Sequence, residues 1–317
     1  MLDTAQIKGE TAMLRTMMGL LAALAIGTAA QAKPQDMFAT NNGVKIHYVV
    51  DGKGPLVVMI HGFPDYWGTW KPLMAELNKA GYRTAAIDTR GYNLSDKPEG
   101  EAAYAMPNLI GDVAAVIAAE GQKSATIVGH DWGAAISWQV VFNRPDLVNK
   151  LVIMSVPHPV GFAREMATNV DQQKNSQYAR NFQQPGFEKN LSAASLATMV
   201  AGAKDTPRKA EYLEAFQRSH LTSMMNYYRA NYPRGTGDAV APPSGITAAS
   251  PPMIKVPVLV IHGMKDTALN AAGHSGTWNY VSEDTTILMI PNAGHFVQHD
   301  AEALVNKTVR SWLNERR

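Results

Sequence analysis

The stretch that decides the fold is Ala125-Thr126-Ile127-Val128-Gly129-His130-Asp131-Trp132-Gly133-Ala134-Ala135-Ile136. An apolar run, ATIVGH at 125–130, ends at a pair of glycines, and a second apolar segment, AAISWQVVF, begins just after them. The arrangement matches the sharp strand-to-helix turn that holds a serine nucleophile between two glycines. Here the central residue is Asp131. A serine must lose its proton before it attacks, whereas an aspartate, with an ordinary pKa near 3.9, is already an anion at neutral pH. Its attack on carbon leaves an ester between enzyme and substrate. A helix starting near Gly133 turns its positive end toward Asp131 and favours the ionised form. An aspartate that merely caps a helix would also suit the position. The flanking glycines, and the partners identified below, weigh for the nucleophile.

Outward from this turn the chain alternates between two kinds of segment. Short apolar runs occur at 45–50, 56–62, 83–88, 125–130, 150–156, 256–263 and 286–291. They are continuous rather than alternating, as parallel strands covered on both faces require. Helical patterns fall at 69–80, 107–120, 133–143 and 301–315, the last with Ala303, Leu304, Val309, Trp312 and Leu313 at helical spacing. Strands alternating with helices predict an α/β domain with a mostly parallel sheet flanked by helices. The alternation stops between 157 and 255, where helical patterns appear near 187–201 and 207–231 before a stretch rich in Pro, Gly and Ser. This region reads as a helical cap with a linker, inserted between two strands of a core formed by 33–156 and 256–317.

The composition is ordinary for a globular protein of 317 residues, with 46% hydrophobic and 18% charged residues. Twenty-nine basic and 27 acidic side chains give a net charge of +2, and no dense basic run points to nucleic acid. The chain has no cysteine, which excludes disulfides, thiolate metal sites and cysteine nucleophiles. At the N-terminus, Lys8 and Arg15 precede the apolar run MMGLLAALAIGTAA (17–30) and the small-residue site Ala30-Gln31-Ala32. This is the pattern of a secretory signal peptide, too short to span a bilayer comfortably. Residues 1–32 are therefore expected to be removed, whether translation starts at Met1 or Met13. That leaves an exported protein with no stable membrane anchor.

Six motifs occur in the order and approximate spacing of one family: HGFPDYWGTW (61–70), DTRGYNLSDKP (88–98), GHDWGA (129–134), VPHP (156–159), HGMKD (262–266) and GHFVQHD (294–300). Over residues 40–317 the chain resembles the α/β-hydrolase fold, specifically its epoxide hydrolase branch. Asn93 departs from the pattern where glycine is common, a change expected to alter a turn and not the chemistry. The resemblance implies a small-molecule epoxide substrate, no cofactor and no metal. It leaves the oligomeric state open.

The resemblance also implies roles for individual residues. Asp131 is the nucleophile. His295, between the last apolar run and the final helix, is the base that activates water against the ester, and Asp266 is the acid that orients it. Phe63 and Trp132 supply backbone N–H groups to an oxyanion hole. His61, Pro64, Trp132 and Phe296 are expected to line the substrate pocket. Tyr178, in QYARNFQQPG, and Tyr228, in MNYYRANY, match the two cap tyrosines that donate to the departing epoxide oxygen, with Tyr227 as the neighbouring candidate. The product is a vicinal diol. A haloalkane dehalogenase would share the aspartate nucleophile but would need a side-chain donor for a halide, and Phe63 offers none. A non-catalytic secreted binding protein on the same scaffold is the remaining alternative. The intact set of site residues speaks against it.

Overall fold

The computed structural model describes residues 34–234 and 251–317. The expected signal peptide at 1–32 and the greater part of the linker lie outside the described residues. The strands are β1 (Gln35–Asn41), β2 (Val44–Gly52), β3 (Leu56–Ile60), β4 (Arg83–Ile87), β5 (Ala125–His130), β6 (Val148–Met154), β7 (Val258–Gly263) and β8 (Thr285–Ile290). They form one sheet in the order β1-β2-β4-β3-β5-β6-β7-β8. Strands β3 to β8 pair in parallel. The run at 45–50, read with the parallel strands, lies in β2, which pairs antiparallel to both β1 and β4. Strand β1 has no apolar run because only Ala39 in it is buried. It sits at the sheet edge, where one paired side suffices.

Successive residues of the central strands feed opposite faces, as the two-residue period of a strand dictates. Val57 and Met59 point into a core closed by helices α1 (Lys71–Lys79) and α11 (Glu302–Asn314). Val58 and Ile60 point into the other core, closed by α2 (Met106–Ala119) and α3 (Trp132–Asn143). Burial on both faces is why these runs are continuous in the sequence. In α11 the buried stripe is Val305, Val309, Trp312 and Leu313. Ala303 and Leu304 fall outside that stripe, Leu304 being 46% exposed.

Between β6 and β7 the cap contributes α4 (Pro159–Thr168), α5 (Val170–Asn175), α6 (Gln177–Phe182), α7 (Ala193–Ala201), α8 (Pro207–Arg218) and α9 (Leu221–Asn231). The expected helix at 187–201 begins only at Ala193, where Ser192 and Ser195 form a capping box. The expected helix at 207–231 is two helices. They part at Ser219 and His220, which are extended and bound to the core: His220 N–H donates to Gly91 O at 3.0 Å, and Asn93 N–H to Ser219 Oγ at 2.7 Å. Asn93 itself has a φ of 39° and donates through Nδ2 to Asp88 Oδ2, so it shapes this turn and ties the cap to it. The three helices between 159 and 182 have no counterpart in the sequence pattern. Two are six residues long, and α5 is the polar run VDQQKN.

Candidate active site

Asp131 sits where β5 ends and α3 begins, with φ 52° and ψ −120°. A positive φ is strained for a residue with a Cβ, by about 1–3 kcal/mol, and persists only where the surroundings enforce it. Two glycines do so by close approach. A Cβ on Gly133 would overlap the Ile60 carbonyl, and one on Gly62 would overlap the Asp131 carboxylate. The Asp131 carboxylate has two distinct oxygens. Oδ1 accepts from Phe63 N–H at 2.6 Å, and Oδ2 lies 3.3 Å from His295 Nε2. The Trp132 N–H, in the first turn of α3, has no acceptor among the described residues, as the leading N–H groups of a helix do not within the helix itself.

His295 follows β8 and precedes α10 (Val297–Asp300). Its Nδ1–H donates to Asp266 Oδ2 at 2.8 Å, while Asp266 Oδ1 accepts from the N–H groups of Ala268 and Leu269 at 2.7 and 3.0 Å. Asp266 is thereby held on both oxygens and presents His295 Nε2 to Asp131. Burial opposes charge on His295, yet Asp266 and Asp131 outweigh it and lift its pKa to about 10. The same ion pair overcomes burial at both carboxyls and holds them below their usual range. At rest the site is an imidazolium between two carboxylates.

Sequence reasoning missed the residues that hold the backbone of this histidine. The His295 carbonyl accepts from Ser155 Oγ at 2.7 Å and from His130 Nε2 at 2.8 Å. Burial lowers the His130 pKa to about 4, so its ring is neutral. Its Nδ1 accepts from Gln298 Nε2 at 3.2 Å, which leaves the proton on Nε2. Gln298 also approaches Asp65 Oδ2 at 3.5 Å, and Asp65 Oδ1 accepts from Tyr212 Oη of α8 at 2.9 Å. Burial pushes the Asp65 carboxyl up to about 7. A buried polar chain thus runs from the cap to the loop of His295. Its only sequence signal is that His130 ends β5 beside Asp131 and Ser155 follows β6.

Above Asp131 lies a cavity of about 90 Å³ between the core and the cap, lined by Asp131, Trp132, Tyr178, Tyr228 and Tyr232 among others. Tyr178 and Tyr228 come from α6 and α9, and their rings are 6.2 Å apart at 80°. Tyr228 also packs edge-on against Trp132 at 5.0 Å. Among the described residues neither hydroxyl donates to an acceptor, the Tyr228 hydroxyl facing the Trp132 indole N–H, and burial raises both pKa values well above 10. Both stay protonated at neutral pH. Tyr227 is 1% exposed and donates to Arg90 O at 2.8 Å, so its hydroxyl is committed elsewhere.

Of the four residues expected to line the pocket, Trp132 does. His61 does not: its Nδ1 donates to Gly62 O and its Nε2 accepts from Thr89 N–H, which seals the ring in the core. Pro64 is buried, and Phe296 packs against the His130, His295 and His299 rings. Neither belongs to this cavity, whose further walls come instead from Met106, Phe162 and Leu269. Their place depends on how the cap folds over the core.

The model of the alpha/beta hydrolase fold family matches residues 55–302. Over 292 residues the chain is 32% identical to Epoxide hydrolase 3 of Xenopus tropicalis, covering 87% of this chain and 76% of that protein. It is 33% identical over 288 residues to the AB hydrolase superfamily protein YfhM of Bacillus subtilis (strain 168), covering 87% and 96% of the two. An epoxide hydrolase from Bacillus megaterium, solved in complex with an inhibitor, superposes with a TM-score of 0.81 at 31% identity, over 88% of this chain and 100% of that one. The chain belongs to the α/β-hydrolase fold family, in its epoxide hydrolase branch. It is a hydrolase.

Proposed function

We propose that the protein hydrolyses an epoxide to a vicinal diol through an ester on Asp131. The observation that carries this reading is the meeting, in one cavity, of an anionic Asp131 with two protonated tyrosine hydroxyls. Asp131 Oδ2 attacks an oxirane carbon, and the C–O bond breaks toward oxygen. Tyr178 and Tyr228 donate to the alkoxide that develops, while Phe63 N–H holds the other carboxylate oxygen and the free Trp132 N–H is the second oxyanion donor.

The raised pKa of His295 fits the proton balance of this sequence. Once Asp131 is an ester it carries no charge, and the pKa of His295 falls. The imidazolium then gives up one proton, and the alkoxide takes one up. Neutral His295 can now accept a proton from water as it adds to the ester carbonyl. The tetrahedral oxyanion collapses, the diol leaves, and the carboxyl proton passes to the departing oxygen. Asp131 returns as a carboxylate beside an imidazolium.

Incubation with a panel of epoxides and haloalkanes tests the reading. Diol from the epoxides without halide release is the expected result, and halide release alone would favour a dehalogenase. Tyr178→Phe and Tyr228→Phe should each slow the alkylation step roughly 10²–10³-fold, less where the other tyrosine compensates. Stopped-flow quenching of tryptophan fluorescence reads that step directly. Tyr227→Phe should instead lower stability by about 1–3 kcal/mol, since it strands the buried Arg90 carbonyl. Denaturant unfolding measures it.

We further propose export, on the strength of the signal-peptide pattern at 1–32. Mass spectrometry of the protein from its native host should find Lys33 at the N-terminus. An intact chain inside the cell would refute it.

A further inference from the structure

The cavity above Asp131 runs along α3. Trp132, Ala135, Trp138 and Gln139 all line it, at the three- and four-residue spacing of one helix face. Eight residues, at 1.5 Å each, set Gln139 about 12 Å along the helix axis from Asp131. Nucleophile and amide therefore stand at opposite ends of one cavity.

The Gln139 side chain is 4% exposed, and its amide has a defined orientation. Asn143 Nδ2 donates to Gln139 Oε1 at 3.2 Å and to the Gln139 carbonyl at 2.8 Å. The oxygen end of the amide is turned to Asn143, which leaves the NH₂ end over. Among the described residues, Gln139 Nε2 finds no acceptor. A donor on a side chain this buried makes its hydrogen bond only with what enters the cavity. The other walls are mostly apolar, with Val156, Phe162 and Leu269, and their polar side chains, Asn231 and the tyrosines, are neutral. Among the described residues no lysine, arginine or histidine lines the cavity. A carboxylate at the far end would lose its hydration and gain no cation, whereas a neutral carbonyl oxygen would not face that loss.

We propose that Gln139 Nε2 is the distal anchor of the substrate, donating to a neutral carbonyl oxygen. The substrate is then a neutral epoxy ester or amide, with an apolar segment between oxirane and carbonyl. This rests on the epoxide hydrolase reading above. A substrate lacking the carbonyl leaves the amide unpaired, and sites built on a buried hydrogen bond discriminate strongly against such analogues.

The test uses a series of terminal epoxides that carry a methyl ester at increasing distance, each beside an alkyl epoxide of equal length and the corresponding free acid. At the length that spans the cavity, kcat/KM for the ester should exceed that of the alkyl epoxide roughly tenfold, and that of the acid by at least as much. Gln139→Leu and Gln139→Met, which keep the side chain's bulk, should abolish the ester's advantage. A loss of packing would instead lower both substrates alike and leave their ratio intact. Equal values for ester and alkyl epoxide in the parent enzyme, or an advantage that survives in both variants, overturns the anchor. A preferred free acid overturns the neutral class. Should no epoxide of any kind give diol, the epoxide hydrolase reading itself fails, and the anchor with it.

Discussion

His295→Gln should stall turnover after the first half-reaction, with a protein species heavier by the full mass of the substrate. Ring opening needs no base, and Phe63 N–H still holds the Asp131 carboxylate, so the adduct should form, though more slowly, because the imidazolium that keeps Asp131 ionised is gone. Ester hydrolysis needs a base, and glutamine accepts no proton. Steady-state diol formation should fall about 10²–10⁴-fold, the range a positioned general base contributes. Intact-protein mass spectrometry after one equivalent of epoxide should find the adduct, and peptide mapping should place it on Asp131. A haloalkane would instead add its mass less that of hydrogen halide. If the variant neither accumulates an adduct nor loses turnover, His295 is not the base.

The parent enzyme should show the complementary pH dependence. With Asp131 anionic the pKa of His295 is about 10, and esterification removes one of the two carboxylates that hold it there. Ester hydrolysis requires the neutral ring. Its rate should therefore climb tenfold per pH unit below the pKa of His295 in the ester and level off above it. Alkylation requires only the Asp131 anion and the tyrosine protons, so it should stay flat from pH 6 to 9 on these groups' directions of shift. Rapid-mixing experiments that separate the two steps would read both profiles.

What could be read from the sequence follows from how local each feature is. Asp131 and Asp266 follow strands buried along their whole length, and His295 follows the half-buried edge strand β8; all three strands announce themselves as apolar runs. The turn after each is then a fixed point, and three such points meet at the same end of the sheet. Strand β1 lacks the run because one buried residue is enough at an edge. Two of the helices at 159–182 are only six residues long, so their pattern is too brief to register. Three of the four expected pocket walls lie outside the cavity, His61 because it satisfies its polar atoms inward. Phe162, Leu269 and Gln139 reach the cavity only through the packing of cap on core. Ser155 and His130 act on a backbone carbonyl, a role that leaves no pattern of residue types.

Asp131→Asn should lower turnover roughly 10⁴–10⁶-fold, as removal of a covalent nucleophile does. Loss alone does not prove attack by the carboxylate, because a base that activates water would also fail. Oxygen-18 separates the two. In the covalent route water attacks the carbonyl carbon of the ester, and the oxygen that leaves with the diol came from Asp131. A single turnover with excess enzyme in labelled water should therefore yield a diol nearly free of label, with the label in the peptide that carries Asp131. Direct attack of water on the oxirane would label the diol fully and the peptide not at all. The resting geometry favours the first route, since Oδ1 is held by Phe63 N–H while Oδ2 lies beside His295 in a residue that lines the cavity. A base needs only one lone pair near water. A carboxylate with one oxygen bound by a backbone donor and the other aimed at the substrate space is already arranged as half of an ester. The hydrogen bond from Phe63 then stabilises the oxyanion as water adds. A labelled diol in the first turnover would refute that assignment.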